Sequence, residues 1–203
     1  EVEDYVPSWV RSLSNTELKK AIDDRLESVV PHFRGKFVDW DVNNEMLHGS
    51  FFKDRLGQDI WLYMFNRTKE LDPDTKLFVN DYNIITEAET DAYVQQINWF
   101  LENGVDLYGI GVQGHFSQDK VVDPVVVESR LNTLASTGLP IWITEYDSTT
   151  QDVKLRADNL ENLYRIAFSH PSVEGILLWG FHADSHWRGP DAAIVNHDWT
   201  VNE

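Results

Sequence analysis

Cysteine is absent from this chain of 203 residues. Disulfides and thiolate metal sites are therefore excluded, and the redox compartment cannot be read. Also missing is any apolar run long enough to cross a bilayer. No secretory leader opens the chain: Glu1-Val2-Glu3-Asp4 starts without a Met and reads as the middle of something longer. Basic residues are scarce, with 17 Lys and Arg against 34 Asp and Glu, which gives a net charge of −17 and an isoelectric point of about 4.6. Such a surface repels phosphate backbones and anionic lipids, so nucleic acid and membrane are poor partners. A neutral polymer is not repelled. Hydrophobic residues at 42% and charged residues at 25% mark an ordinary globular chain, and the length suits one domain over residues 1–203. Tryptophan is abundant, at 8. Its ring offers a flat apolar face to a sugar, but core packing competes for it, and about half are expected inside.

Two stretches are built alike. Phe37-Val38-Asp39-Trp40-Asp41-Val42-Asn43-Asn44-Glu45 reads as a short strand that ends by delivering an amide and a carboxyl. Ile141-Trp142-Ile143-Thr144-Glu145-Tyr146-Asp147 is an apolar strand that also ends in a carboxylate. Around them helix and strand alternate five times. Strands are expected at residues 36–42, 77–79, 107–112, 139–144 and 175–179. They are short, apolar and non-alternating, as in a parallel sheet covered on both faces. Their centres lie about 30 to 40 positions apart, the period of a β/α unit. Ser14-Asn15-Thr16-Glu17 has the form of a capping box, and Leu18, Ile22, Leu26 and Val29 mark the inner face of the helix that follows. Pro31 and Gly35 should end that helix. Further helices are expected at 59–71, at 89–103 with Tyr93, Ile97, Phe100 and Leu101 inward, from Asp123-Pro124 to Gly138, and at 153–168 with Val153, Ala157, Leu160, Tyr164 and Ala167 inward.

Each strand ends in side chains capable of chemistry: Asn44 and Glu45; Asn80, Asp81 and Tyr82; Gln113 and His115; Glu145 and Asp147; Trp179. In parallel β/α folds such ends converge on one face. A retaining glycosidase needs two carboxyl groups about 5–5.5 Å apart, in environments that drive their pKa values apart. His115 and Asp147 are candidate partners that would keep Glu145 ionised, which suits a nucleophile. Glu45 follows an amide and suits a general acid/base. By spacing alone, with 34 acidic residues in the chain, both read better as surface glutamates.

The strand-end motifs Asp41-Val42-Asn43-Asn44-Glu45, Asn80-Asp81-Tyr82-Asn83, Gly109-Ile110-Gly111-Val112-Gln113-Gly114-His115, Ile143-Thr144-Glu145-Tyr146-Asp147 and Trp179-Gly180 resemble, in order, those of glycoside hydrolase family 10. Asn44-Glu45-Met46-Leu47-His48 looks closest to its plant-type branch. The resemblance implies an endo-1,4-β-xylanase on a (β/α)₈ barrel. It implies Glu45 as acid/base and Glu145 as nucleophile, with Asn44 on the sugar 2-hydroxyl and His115, oriented by Asp147, holding Glu145. Gln113, Tyr82, Asn83, Trp179 and Trp187 would line the substrate. It further implies xylan or xylo-oligosaccharide as partner, no cofactor or metal, and secretion. Two positions depart from the pattern: Asn43 stands where an apolar residue is usual and Tyr146 where Leu is usual. Five strands also fall short of a barrel, which takes about 250 residues. The five would be strands four to eight of an incomplete barrel, with the others on a second chain or segment, and the isolated chain is expected to be inactive.

Other motifs carry less. Gly109-x-Gly111-x-x-Gly114 matches a dinucleotide fingerprint, but no helix opens until Pro124. His182-Ala183-Asp184-Ser185-His186 has metal spacing only if helical, and Gly180 and Gly189-Pro190 around it indicate a loop. Asn66-Arg67-Thr68 is a glycosylation sequon on a predicted helix. His32, His48, His170 and His197 read as surface or capping groups. Two alternatives stay open beside the xylanase: a non-catalytic carbohydrate-binding fragment, and a relative that cleaves β-glucan.

Overall fold

The computed structural model describes residues 2–117 and 120–202; Glu1, Gln118, Asp119 and Glu203 lie outside it. The chain forms two compact units. One comprises the residues up to Asp81 together with Gln95–Gly109, the other Tyr82–Val94 and the residues from Ile110 onward.

In the first unit a short α1 (Ser8–Arg11) precedes α2 (Asn15–Phe33). The capping box forms as expected: the Ser14 hydroxyl accepts the Glu17 N–H while the Glu17 carboxylate accepts the Ser14 N–H at 2.9 Å, which satisfies two of the donors a helix start leaves unpaired. Leu18, Ile22 and Val30 are buried, with Leu26 and Val29 half-buried. Pro31 does not stop the helix but sits inside its final turn. Its missing N–H costs one bond there, and the helix ends two residues later. β1 (Asp39–Asp41) is shorter than the seven residues expected, because only these three pair with β2 (Lys76–Asp81), in parallel. Phe37 and Val38 are left 46% and 68% exposed. α3 (Phe51–Leu56) was not legible as a separate helix. α4 (Asp59–Leu71) has the predicted bounds and buries Ile60, Trp61, Met64, Phe65 and Thr68. Thr68 belongs to the sequon, so that motif's hydroxyl faces the core. β2 is buried from Leu77 to Asp81, and its non-alternating apolar pattern follows from being covered on both faces. α5 (Thr90–Glu102) crosses the boundary between the units, and Gly104, at φ +78°, ends it.

The second unit is built on β5 (Ile141–Ser148). β3 (Gly109–Val112), β4 (His115–Phe116) and β6 (Val173–Leu178) each pair with it in parallel. β4 is a sixth strand beyond the five expected, a two-residue ladder that joins His115 to Asp147. α6 (Pro124–Ala135) starts where Asp123 accepts the N–H groups of Val125 and Val126. α7 (Val153–Ser169) turns a different face inward than its sequence suggested. Asn159, Leu163, Ile166 and Ala167 are buried, while Val153 and Tyr164 are exposed at 45% and 38%. The helix carries two apolar stripes, and only Ala167 belongs to both. The stripe predicted from spacing, through Ala157 and Leu160, lines a cavity of about 90 Å³ instead. Tryptophan is less internal than expected: Trp61 alone is buried among the described residues, and Trp9, Trp179, Trp187 and Trp199 are half-exposed or more.

Candidate active site

β5 runs four residues further than its apolar core implies, so Glu145 lies within the strand rather than beyond it. Against β6 the register slips between Ile143 and Tyr146: three steps on β5 oppose two on β6. An extra residue of this kind bends a strand and re-aims its side chains, and the interval in which it falls holds Thr144 and Glu145. The Glu145 N–H donates to the Gln113 carbonyl at 2.8 Å, and Gly114, at φ +84°, turns the chain out of β3 beside it. An added Cβ on Gly114 would approach Ile143 to 3.0 Å. The glycines of the supposed dinucleotide fingerprint thus serve strand packing and a turn.

Around Glu145 the side chains form a connected set. His115 Nε2 is 3.3 Å from Glu145 Oε2, and its Nδ1 is 3.0 Å from Asp147 Oδ2, an ion-pair contact that misses hydrogen-bond geometry. Asp147 is 3% exposed, and Trp187 Nε1 donates to its Oδ2 at 2.8 Å while Arg188 Nη1 donates to its Oδ1 at 2.9 Å. The Trp187 ring stands edge-on to His115 at 5.1 Å. Burial disfavours a charged imidazole, but the contacts to Asp147 and Glu145 outweigh it and hold His115 up at about 9. Burial likewise opposes the Asp147 charge, and His115 with Arg188 overcomes it, so Asp147 lies below the usual carboxylate range. At neutral pH His115 is therefore an imidazolium paired with the Asp147 carboxylate. Burial, reinforced by the neighbouring Asp147 charge and by Tyr164, pushes the adjacent Tyr146 phenol up.

Of the residues named from sequence, Gln113, His115, Glu145, Asp147 and Trp187 meet in this unit. Arg188 joins them and was missed, since an Arg in an irregular loop carries no signal of its own. Trp179 is 50% exposed just past β6, its N–H bonded to the Tyr146 carbonyl at 3.2 Å. Tyr82 is half-buried. Asn83, at φ +62°, donates to Glu89 at 3.3 Å. His182 and His186 lie in the predicted loop, and each accepts a backbone N–H on Nδ1, from Asp184 and Arg188 respectively. His170 is a capping group, accepting the Ser172 N–H, and His32 and His197 are exposed.

Asn44 and Glu45 occupy the first unit, in the turn after β1. Glu45 has φ +61°, a conformation few non-glycine residues adopt. Its N–H donates to the Asn80 carbonyl at 2.9 Å, and Asn80 Nδ2 donates to Asn44 Oδ1 at 3.1 Å. Asn43, at the departing position, is 7% exposed beside Met46 at 3%. His48, expected as a surface or capping group, is largely buried: its side chain is 15% exposed and lies against Asp81, which is fully buried.

Short parallel strands alternating with helices, with carboxylates, amides and imidazole at the strand ends, are the pattern of a β/α-barrel protein. The chain belongs to Glycosyl hydrolase family 10, whose profile matches residues 3–201. It is 58% identical over its full length to the anti-sigma-I factor RsgI6 of Acetivibrio thermocellus, of which it spans 26%. It is 42% identical, again over its full length, to endo-1,4-beta-xylanase 1 of Arabidopsis thaliana, of which it spans 22%. Among solved structures it superposes on xylanase 10B from Thermotoga petrophila RKU-1, in complex with xylobiose, with a TM-score of 0.87 at 28% identity, over all of this chain and 68% of that one. The fold is thus that of the (β/α)₈ barrel family, of which this chain supplies a part. It spans about a quarter of the two curated relatives.

Proposed function

We propose that this chain carries the cleavage apparatus of a retaining endo-1,4-β-xylanase. Glu145 attacks the anomeric carbon while Glu45, protonated, gives its proton to the departing glycosidic oxygen. Glu45, now a carboxylate, takes a proton from water, and that water displaces Glu145 from the sugar with net retention. The observation that carries this reading is the Glu145–His115–Asp147 set in a family whose relatives include xylanases. His115 Nε2, 3.3 Å from Glu145 Oε2, orients the carboxyl that serves as nucleophile. Asn44 is assigned to the sugar 2-hydroxyl, and Gln113, Tyr82, Asn83, Trp179 and Trp187 to the substrate walls. The ligand class is xylo-oligosaccharide, the site of action extracellular. The strands that close the barrel come from a further segment or a second chain, and the 203 residues alone give no turnover.

In the complete enzyme, Glu145→Gln should lower kcat on xylan by on the order of 10³-fold or more. Mass spectrometry after a 2-fluoro xylobioside should show the label on Glu145 in the parent protein. A label elsewhere, or wild-type turnover by Glu145→Gln, overturns the assignment. Comparison with mixed-linkage β-glucan tests the β-glucanase alternative.

A second reading has its own observation. The segment makes up 26% of an anti-sigma-I factor to which it is 58% identical, so it suits a carbohydrate-recognising module within a larger regulatory protein. Calorimetry decides between the two: xylo-oligosaccharide binding without turnover in the complete protein favours the module, and turnover favours the enzyme.

A further inference from the structure

The Glu45 turn holds a conformation it would not adopt unaided. A left-handed backbone is unfavourable for a residue with a side chain and persists only where its surroundings over-determine it. Those surroundings are the end of β2. Leu77 to Asp81 are all buried, so this strand is a fixed template. Its last two residues grip the turn on both sides of Glu45. Before it, Asn80 Nδ2 donates to Asn44 Oδ1, and the Asn80 carbonyl takes the Glu45 N–H. After it, the Leu47 N–H donates to Asp81 Oδ2 at 2.7 Å, and His48 Nδ1 lies 2.6 Å from Asp81 Oδ1. The Gly49 N–H then closes back on the Glu45 carbonyl at 2.8 Å.

The carboxylate at the centre of this grip is 0% exposed. A buried carboxylate is tolerated where donors meet its oxygens, and charge-assisted bonds of this length are the strong ones. Both Asp81 oxygens are met, one by a backbone N–H and one by the imidazole. Facing a carboxylate, His48 Nδ1 carries the proton. Asp81 thus ties two successive residues, Leu47 and His48, to the strand that also binds Glu45. Met46, 3% exposed between Glu45 and Leu47, is the apolar anchor.

We propose that Asp81 and His48 are positioning residues for Glu45: they lock the turn at residues 44–49 onto the end of β2 and so hold Glu45 in the left-handed conformation that aims its carboxyl. This rests on the reading of Glu45 as the acid/base. Neither residue touches the substrate in this scheme. Each acts through the backbone of the turn.

Two readouts test the clamp and separate its failure from that of the reading it rests on. The first needs no catalysis. In the isotope-labelled protein, the Glu45 Cα shift and its HN–Hα coupling report the left-handed backbone. His48→Ala and Asp81→Ala should move both towards right-handed or extended values. His48→Asn, whose amide N–H reaches Asp81 from the position of Nδ1, should restore them. If His48→Ala folds and Glu45 keeps its left-handed signature, the clamp is refuted whatever Glu45 does. Should Asp81→Ala fail to fold, the His48 pair of variants still decides.

The second readout is leaving-group dependence in the complete enzyme. An activated aryl xylobioside such as the 2,4-dinitrophenyl compound departs without a proton, whereas xylan does not. A misaimed acid therefore lowers kcat/KM on xylan by at least about tenfold and on the aryl substrate by less than about threefold. His48→Ala should show this split, and Glu45→Gln should show it more strongly. Equal losses on both substrates for His48→Ala overturn the positioning role. Equal losses for Glu45→Gln itself overturn the acid/base reading and leave the backbone measurement to judge the clamp alone.

Discussion

His115 stands between two carboxylates, 3.3 Å from Glu145 and 3.0 Å from Asp147, and its proton is the charge that reconciles them. Its pKa rises from 6.5 to about 9 on folding. A group whose folded value is raised stabilises the protein fully below its unfolded value and loses that contribution as pH climbs through the folded one. The stabilisation is therefore complete below about pH 6.5 and gone above about pH 9. Urea unfolding at intervals across this window should show the loss, and His115→Asn should flatten it; an equally steep decline in the variant would contradict the assignment. His115, Asp147 and Glu145 were legible because each follows an apolar run that announces a strand. Arg188 and His48 were not, because their partners Asp147 and Asp81 lie 41 and 33 positions away, and only folding brings such pairs together.

At the scale of elements, local chemistry predicts well where it is self-sufficient. α4 begins and ends as its sequence indicated, and α2 starts at its capping box, since these signals involve neighbours in sequence. Strand lengths were less legible, because a strand exists only as far as its partner does: β1 shrank to the three residues that pair with β2, and β5 lengthened to meet β4. α7 shows the same limit for faces. Two apolar stripes satisfied helical spacing, and packing rather than period chose between them. Close approach makes its own demand at Gly175 on β6, where an added Cβ would lie 2.7 Å from the Trp142 ring. Gly175→Ala should destabilise the protein by about 1–3 kcal/mol, the usual cost of overpacking against a rigid ring, as measured by the denaturant midpoint. An unchanged midpoint would mean that Trp142 yields freely.

Across the whole molecule the dominant quantity is charge. At −17 the chains repel one another, although exposed apolar groups such as Phe37 and Val38 near β1, and Leu177 and Phe168 on β6 and α7, invite association. Lowering the pH to about 4.6 removes the net charge, so light scattering should rise there and fall again on returning to pH 7. A monodisperse solution at the isoelectric point would show that these surfaces are not adhesive. Composition, the alternation of helix with short apolar strands, and the ordered strand-end motifs were enough to give the fold class and the family. All of them are properties of neighbouring residues or of the chain's sum. Tertiary structure alone decided which face of α7 is inside, that Asp81 is the buried partner of the Glu45 turn, and that Trp187 and Arg188 fasten Asp147. Each of these depends on contacts between residues distant in sequence, and their energies exist only once the chain has closed on itself.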